Sequence, residues 1–556
     1  MLIRLAGGKL MDPTRSEEPI SEDLWIDGER IVERPAGGRP PDIEHDVSGH
    51  ILMAGAIDIH THIAGGKVNL GRLLSARDHR EEVERGPAGL RGGSGLTTPT
   101  TFTTGYRYAA MGYTTAFEPA MVASNARAAQ IEMTDVPILD KGAYVMLGND
   151  EFLLQRLASG ASQDEINDYV GWMIGATAAR AVKVVNAGGI SAFKFNGRSL
   201  GIDEPGPRHG VTPRTILRTL ARAVHELGVP HPLHVHCNNL GVPGNIETTL
   251  ATIDAVEGYP IHLTHAQFHS YGTEGKRHFS SAAARLAQAV NANRNVSLDV
   301  GQVVFGATMT ESGDTQAQFR NRRHASPDKW ISMDIECDGG CGLVPFRYRD
   351  RNFVNALQWA IGLELFLLAT DPWRVFLTTD HPNGGPFTSY PHIARLLMDR
   401  AYREQCLSAI NAGARKATVL EGIERQYSLG ELAIMTRAGP ARSLGLGDHG
   451  RLSAGAFADV VVYREHPEID AMLRAPARVF KRGTEIARDG KVVASVAGAT
   501  QVVRPGYNRQ IETRLRRFFD DHMSVAFDHF PLLADEIAEA GGRIEEQPCR
   551  GAMGRP

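Results

Sequence analysis

Eight short apolar runs, many of them separated by helical segments, constrain this chain more than any other feature. In order they are AIDIHTHI, YTTAFEPA, AYVMLG, AVKVVNA, PLHVHCN, PIHLTHAQF, VSLDVGQVVFG and RVFLTTDHP. Segments such as DEINDYVGWMIGATAARA, PRTILRTLARAVHELG, SAAARLAQAVNA and RNFVNALQWAIGLELFLLA carry helical periodicity between them. Strand–helix alternation with about eight short β-runs is what a parallel barrel produces. A doubly wound open sheet is the alternative, but GGKVNLGR at 65–72 and GGSGL at 92–96 lack the strand–turn–helix context of a phosphate-cradling fingerprint.

Small β-rich segments flank the alternating region. MLIRLAGGKLMD, DLWIDGERIVE and HDVSGHILM precede it, with Asp27-Gly28 as a hairpin signal. GRLSAGAFADVVVYRE and ARVFKRGTEIARDGKVVAS follow it. Neither flank is long enough to bury a sheet face alone, so the two are expected to form one β-sandwich from both ends of the chain. The expected division is residues 1–52 and 436–500 for the composite sandwich, 53–435 for the barrel and 501–556 for a helical extension. In that extension Phe518, Phe519, Phe527 and Phe530 read as core packing. Residues 65–109 are glycine-rich and polar without a clear period, either a substrate-covering loop or a surface insertion.

A formal charge of -4 and a pI near 6.6 give no reason to expect a nucleic-acid or membrane partner. Five cysteines include one CDGGC pair, Cys337 and Cys341, without a second pair, and a reduced, cytoplasmic setting is the default. No apolar run approaches membrane-spanning length, and the first residues lack a signal-peptide core.

The polar residues that interrupt the apolar runs carry the chemistry. His60 and His62 share one face of the first run, because i and i+2 coincide in extended backbone. Two imidazoles held side by side on a rigid strand make half of a zinc site. Further candidates are Lys183 or Lys194, His234, His236, His262, His265, His269, Asp299 and Asp380. His236, His265 and Asp380 fall at the C-terminal ends of their runs, where barrel active sites form. A carboxylate ending an apolar strand needs a metal or hydrogen-bond donors beside it. Together these groups point to a hydrolytic centre of two divalent ions that lower the pKa of a water between them. Asp380 would ligate one ion, take the proton and return it to a leaving nitrogen.

The motifs resemble the amidohydrolase superfamily, through GAIDIHTH after the first strand and PARSLGLGDHGRLSAGAFADVVV at 440–462. More specifically the chain resembles the A-subunit family of formylmethanofuran dehydrogenases, nearest its bacterial branch, the alpha subunits of formyltransferase/hydrolase complexes. The marks are KVVNAGG at 183–189, HCNNLGVPGNIETT at 236–249, THAQFHSYG at 264–272, DGGCGLVPF at 338–346 and TTDHPNGGPFTSYP at 378–391. That resemblance implies an α/β, metal-dependent hydrolase (β/α)8 (TIM-like) barrel. It implies metal ligands at His60, His62, His236, His265 and Asp380, and two divalent ions, zinc foremost, bridged by a carboxylated lysine. Lys183 is preferred for the bridge, because AVKVVNAGG fits the family's run; Lys194 in ISAFKFNG, which looks like a hydantoinase strand, is the alternative. The implied substrate is the N-formyl group of a methanofuran-type carrier, released as formate, with Asn238, Asn239 and the GGPF loop as carrier contacts. Implied partners are a formyltransferase subunit and further subunits of a hetero-oligomeric complex.

Three other functions compete. A dehydrogenase complex would place redox chemistry in a companion subunit, since this chain has no cysteine array for iron–sulfur clusters. Only 10 of the 60 basic residues are lysine, unlike the lysine/glutamate enrichment of hyperthermophiles, which favours the bacterial complex. A cyclic-amide hydrolase of dihydropyrimidinase type would favour Lys194 as bridge. A non-catalytic scaffold would have lost ligands, and this sequence retains the full set.

Overall fold

The eight apolar runs form eight parallel strands: Ala56–Asp58, Tyr113–Val122, Asp140–Leu147, Ala181–Val185, Leu233–His236, Ile261–Leu263, Val296–Asp299 and Val375–Phe376. The computed structural model describes residues 1–86, 91–189, 199–207, 209–311, 343–538 and 541–549. Each strand pairs in parallel with the next in sequence, and the sheet curls. Just beyond the first and eighth strands, Thr61 and His381 form a parallel bridge, and the His62 N–H donates to the His381 carbonyl at 2.8 Å. This is the TIM-like arrangement the alternation implied. The second and third strands are buried at every residue, as in sheets covered on both faces.

The crossover helices start where the sequence supplies caps. Ser162 accepts from the Glu165 N–H ahead of helix Gln163–Ala176, and Thr212 accepts from the Thr215 N–H ahead of helix Pro213–Glu226, whose first residue is proline. Each capping oxygen satisfies one N–H that has no carbonyl partner in the first turn. The described residues of 65–109 are folded rather than irregular: helices Gly66–Leu74 and Ala76–Glu81, an antiparallel pair of Val83–Glu84 with Gly93–Ser94, and helix Thr101–Ala110. Arg72 fastens them to the barrel, donating to the Ile63 and Pro99 carbonyls and pairing with Glu132.

Strands from the two ends of the chain meet in one seven-stranded sheet. Lys9–Met11, Ile20–Ser21 and His50–Ala54 lie beside Val460–Arg464, Arg478–Lys481, Thr484–Arg488 and Lys491–Val492. A four-stranded sheet of Leu2–Ala6, Leu24–Asp27, Arg30–Val32 and Ile43–Asp46 includes the hairpin turned by Asp27-Gly28. Ile3, Leu5, Ile26, Leu52, Val460 and Phe480 form a shared core. Beyond it, Phe527 and Phe530 stack on Trp172 while Phe519 meets it edge-on, and Phe518 packs on Phe152. Phe519, Phe527 and Phe530 are therefore core residues, with Phe518 packed half-buried against that core. No helix among the described residues is long and apolar enough to cross a membrane.

A buried ionic knot joins the barrel to the seven-stranded sheet. Lys481 Nζ donates to Asp140 at 2.8 Å and to Asp459 at 2.7 Å, and His449 and Arg482 also reach Asp140. Burial resists the charge on Asp140, but Lys481, His449 and Arg482 more than offset this and hold its carboxyl well below the usual range. Lys481→Ala leaves two buried carboxylates short of a cation, so we expect a loss of about 3 kcal/mol. A thermal or denaturant midpoint equal to wild type would show that the knot contributes nothing.

Candidate metal centre

Two clusters of donor atoms sit at the C-terminal end of the barrel. His60, His62 and Asp380 form one; His236, His265 and His269 form the other; within each, the potential ligand atoms lie within 4.8 Å of one another. All six side chains are buried. Local backbone geometry aims them inward: His265 and Asp380 occupy the left-handed region, with φ of 35° and 50°, just past the ends of the sixth and eighth strands. Such a conformation is costly outside glycine and is a common device where a side chain must be redirected at a site.

In the first cluster Asp380 Oδ1 lies 2.9 Å from His60 Nε2 and 3.2 Å from His62 Nε2. His62 is oriented from behind by Glu118, whose Oε1 is 3.1 Å from His62 Nδ1. Glu118 itself accepts from the N–H groups of Ile63, Ala64 and Ala120. Burial opposes charge on His62, yet Glu118 and Asp380 more than offset it and raise the imidazole to about 9. Burial raises the Asp380 carboxyl. The first strand is anchored by Asp58, which accepts from the His60 N–H at 3.0 Å, the Tyr108 hydroxyl at 2.7 Å and the Tyr390 hydroxyl. Burial lifts Asp58 to about 7 despite these donors.

In the second cluster the His236 and His265 ring centroids are 4.6 Å apart, and His269 lies 5.1 Å and 5.2 Å from them. Burial holds all three imidazoles well below the ordinary histidine value, hence uncharged with lone pairs to offer. Asp299 ties this side together: Oδ1 accepts from the His265 N–H at 3.0 Å and the Thr378 hydroxyl at 2.6 Å, and Oδ2 lies 3.1 Å from His262 Nε2. Lys183 is buried on the fourth strand, and its charge acts on His60 in one cluster and on His236, His265 and His269 in the other. Burial lowers its ammonium to about 8. Lys194 and the Cys337–Cys341 pair lie outside the described residues.

The donor set fits metal ions. Buried polar atoms are nearly always hydrogen-bonded, but His265 Nδ1 and both His269 ring nitrogens have no hydrogen-bond partner among the described residues. Imidazole nitrogens and a carboxylate are the ligand types zinc takes. Of the sequence candidates, His60, His62, Lys183, His236, His265 and Asp380 converge here. His234, His262 and Asp299 lie behind them, in the barrel interior. Sequence reasoning misses Glu118; its signal is a lone charge inside the apolar run YTTAFEPA. His269 is a sequence candidate without a place in the expected ligand set, and its position four residues beyond His265 is the cue.

Gly301 sets the spacing between the two clusters. At φ +65° it leaves no room for a side chain: a Cβ there would lie 2.4 Å from His265 Cβ and 3.4 Å from Asp380 Cβ. Gly301→Ala is therefore expected to lower the melting temperature and weaken metal retention together, the backbone strain alone being of order 1–3 kcal/mol. Melting and metal content both at wild-type levels would refute this reading of the site's packing.

Residues 44–498 match the profile of the Amidohydrolase family, and the chain belongs to that family. The fold and the His/Asp clusters are those of a metal-dependent amidohydrolase. Among characterised relatives, the chain is 43% identical to the Fhc A-subunit of the formyltransferase/hydrolase complex of Methylorubrum extorquens, over 99% of this chain and 100% of the relative. It is 37% identical to Protein FwdA of Methanocaldococcus jannaschii, over 96% and 97% of the two chains. The crystal structure of the Methylorubrum extorquens formyltransferase/hydrolase complex with methylofuran contains a chain that superposes with a TM-score of 0.92 at 42% identity, covering 99% of this chain and 100% of that one.

Proposed function

We propose that this chain hydrolyses the N-formyl group of a formyl-methanofuran-type carrier to formate and the free amine, as the hydrolase subunit of a formyltransferase/hydrolase complex in one-carbon metabolism. The observation that carries the reading is the end-to-end match, at 43% identity, to the A-subunit of such a complex. The convergence of His60, His62 and Asp380 opposite His236 and His265 supports it chemically. In this reading those five residues and a carboxylated Lys183 hold two divalent ions, zinc foremost. Such ions supply Lewis-acid polarisation of an amide carbonyl and a nucleophile at neutral pH.

The chain's own residues do the rest. Glu118 fixes the ring of His62, so that Nε2 faces the centre. Asp380 takes a proton on its carboxylate during attack and delivers it to the nitrogen as the C–N bond breaks, which a poor amine leaving group requires. Asp299 and Gly301 hold His265 and Asp380 at their spacing. Burial of the whole set excludes bulk water from the reacting carbonyl.

The test is formate release by the purified protein, with its co-purifying subunits, from the formylated carrier and from a dihydropyrimidine. Formate from the carrier alone is expected; turnover of only the cyclic amide would replace the reading. The resemblance of the motifs to the A-subunit family of formylmethanofuran dehydrogenases leaves a second reading, the A-subunit of a dehydrogenase complex. A molybdenum- or tungsten-containing subunit in the purified assembly would select it; a formyltransferase without one selects the first.

A further inference from the structure

Three buried imidazoles run in line from the metal face of the barrel towards its opposite end. His60 Nδ1 lies 2.8 Å from His234 Nε2, and His234 Nδ1 lies 3.0 Å from His231 Nε2. His231 Nδ1 in turn lies 3.1 Å from Ser443 Oγ and 3.4 Å from the Ser443 carbonyl oxygen. All three rings are fully buried. The interior of a barrel of this type is ordinarily filled by branched aliphatic side chains, so a file of polar rings there needs a purpose.

Proton bookkeeping supplies one. Each nitrogen–nitrogen contact requires one N–H and one lone pair, and a neutral imidazole carries a single N–H. The line can therefore run in only two directions. With every proton on Nδ1, His60 donates to His234, His234 donates to His231, and His231 donates to Ser443. With every proton on Nε2, the line reverses and His60 turns an N–H, not a lone pair, towards Asp380. The far end breaks the tie, because the Ser443 carbonyl accepts and never donates, which favours the proton on His231 Nδ1. The Thr264 hydroxyl also reaches His60 Nδ1, but it can donate or accept and so selects neither direction.

We infer that His231 and His234 are positioning residues that lock His60 as its Nδ1–H tautomer through a hydrogen-bonded line anchored on Ser443, keeping the Nε2 lone pair turned to the metal position. The inference rests on the reading that His60 Nε2 is a metal ligand. It assigns a function to the spacing of HPLHVH, in which His231 and His234 prepare a ligand that stands on another strand. The His262 ring, held between Ser297 Oγ at 2.9 Å and Asp299 Oδ2 at 3.1 Å, stacks on His234 and braces the line from the side.

The test uses full-length protein in its purified assembly. Magic-angle-spinning spectra of wild type labelled with 15N-histidine should show His231 and His234 as Nδ1–H tautomers; Nε2–H on either, with metal bound, overturns the inference. Zinc affinity is then measured by chelator competition. His231→Phe, which removes the acceptor of the His234 N–H, should weaken one zinc about 10- to 100-fold. His231→Gln, whose side-chain carbonyl can accept that N–H, should stay close to wild type. A folded His231→Phe protein with wild-type zinc affinity overturns the inference; should that variant not fold, the wild-type spectra decide. Wild-type protein that binds no zinc overturns the metal-centre reading itself, a result distinct from bound zinc with the opposite tautomers.

Discussion

Asp380→Ala is expected to cut formate release by about two to four orders of magnitude, the range removed with a positioned acid–base group. The loss should fall on kcat more than on KM, because in the proposed mechanism the carboxylate acts on the proton in flight rather than on the carrier. Asp380→Asn separates its two tasks: the amide can still fill the space beside His60 and His62, but it cannot accept the proton. Near-wild-type metal content with lost turnover in the Asn variant is the expected pair of results. Formate release by Asp380→Ala at the wild-type rate would remove Asp380 from the mechanism.

Lys183→Ala should lose metal as well as activity. In the proposed centre an ammonium at Lys183 would repel both ions, whereas its carbon dioxide adduct would be an anion with two oxygens to share. Burial lowers Lys183 to about 8, so the neutral amine that adds carbon dioxide becomes abundant as pH rises through about 8 rather than through the higher value of an exposed lysine. Metal-free protein supplied with zinc and bicarbonate should therefore regain formate release faster above that pH than below it. The Ala variant should not recover at either pH. An intact mass showing no carbamate on Lys183 in the active protein would end this assignment.

The barrel was legible because strands buried on both faces leave near-continuous apolar runs, and each of the eight runs carries the strand expected of it. The histidine positions were legible for a related reason: a polar side chain at the end of such a run is costly to bury unless a ligand or partner meets it there. What stayed hidden depends on contacts far apart in sequence. Nothing local marks Lys481 as the partner of Asp140, 341 positions away. Nothing local marks His231 as a support for His60, because the link passes through His234 on another strand. The first part of 65–109 was also obscure: the helices Gly66–Leu74 and Ala76–Glu81 are short and bury little, and Arg72 helps fasten them to the barrel.

The shared seven-stranded sheet has a consequence for the order of assembly. His50–Ala54 pairs along its length with Val460–Arg464. An N-terminal strand that has left the ribosome must wait for roughly 400 further residues, which at translation rates of about 5–20 residues per second is roughly 20–80 s. For that interval Leu52 and Met53 belong to an unpaired edge of the kind that recruits foreign strands. Nascent chains halted before Val460 should accordingly be the species that chaperones hold and that aggregate when chaperones are depleted. Chains released after Arg464 should escape that fate.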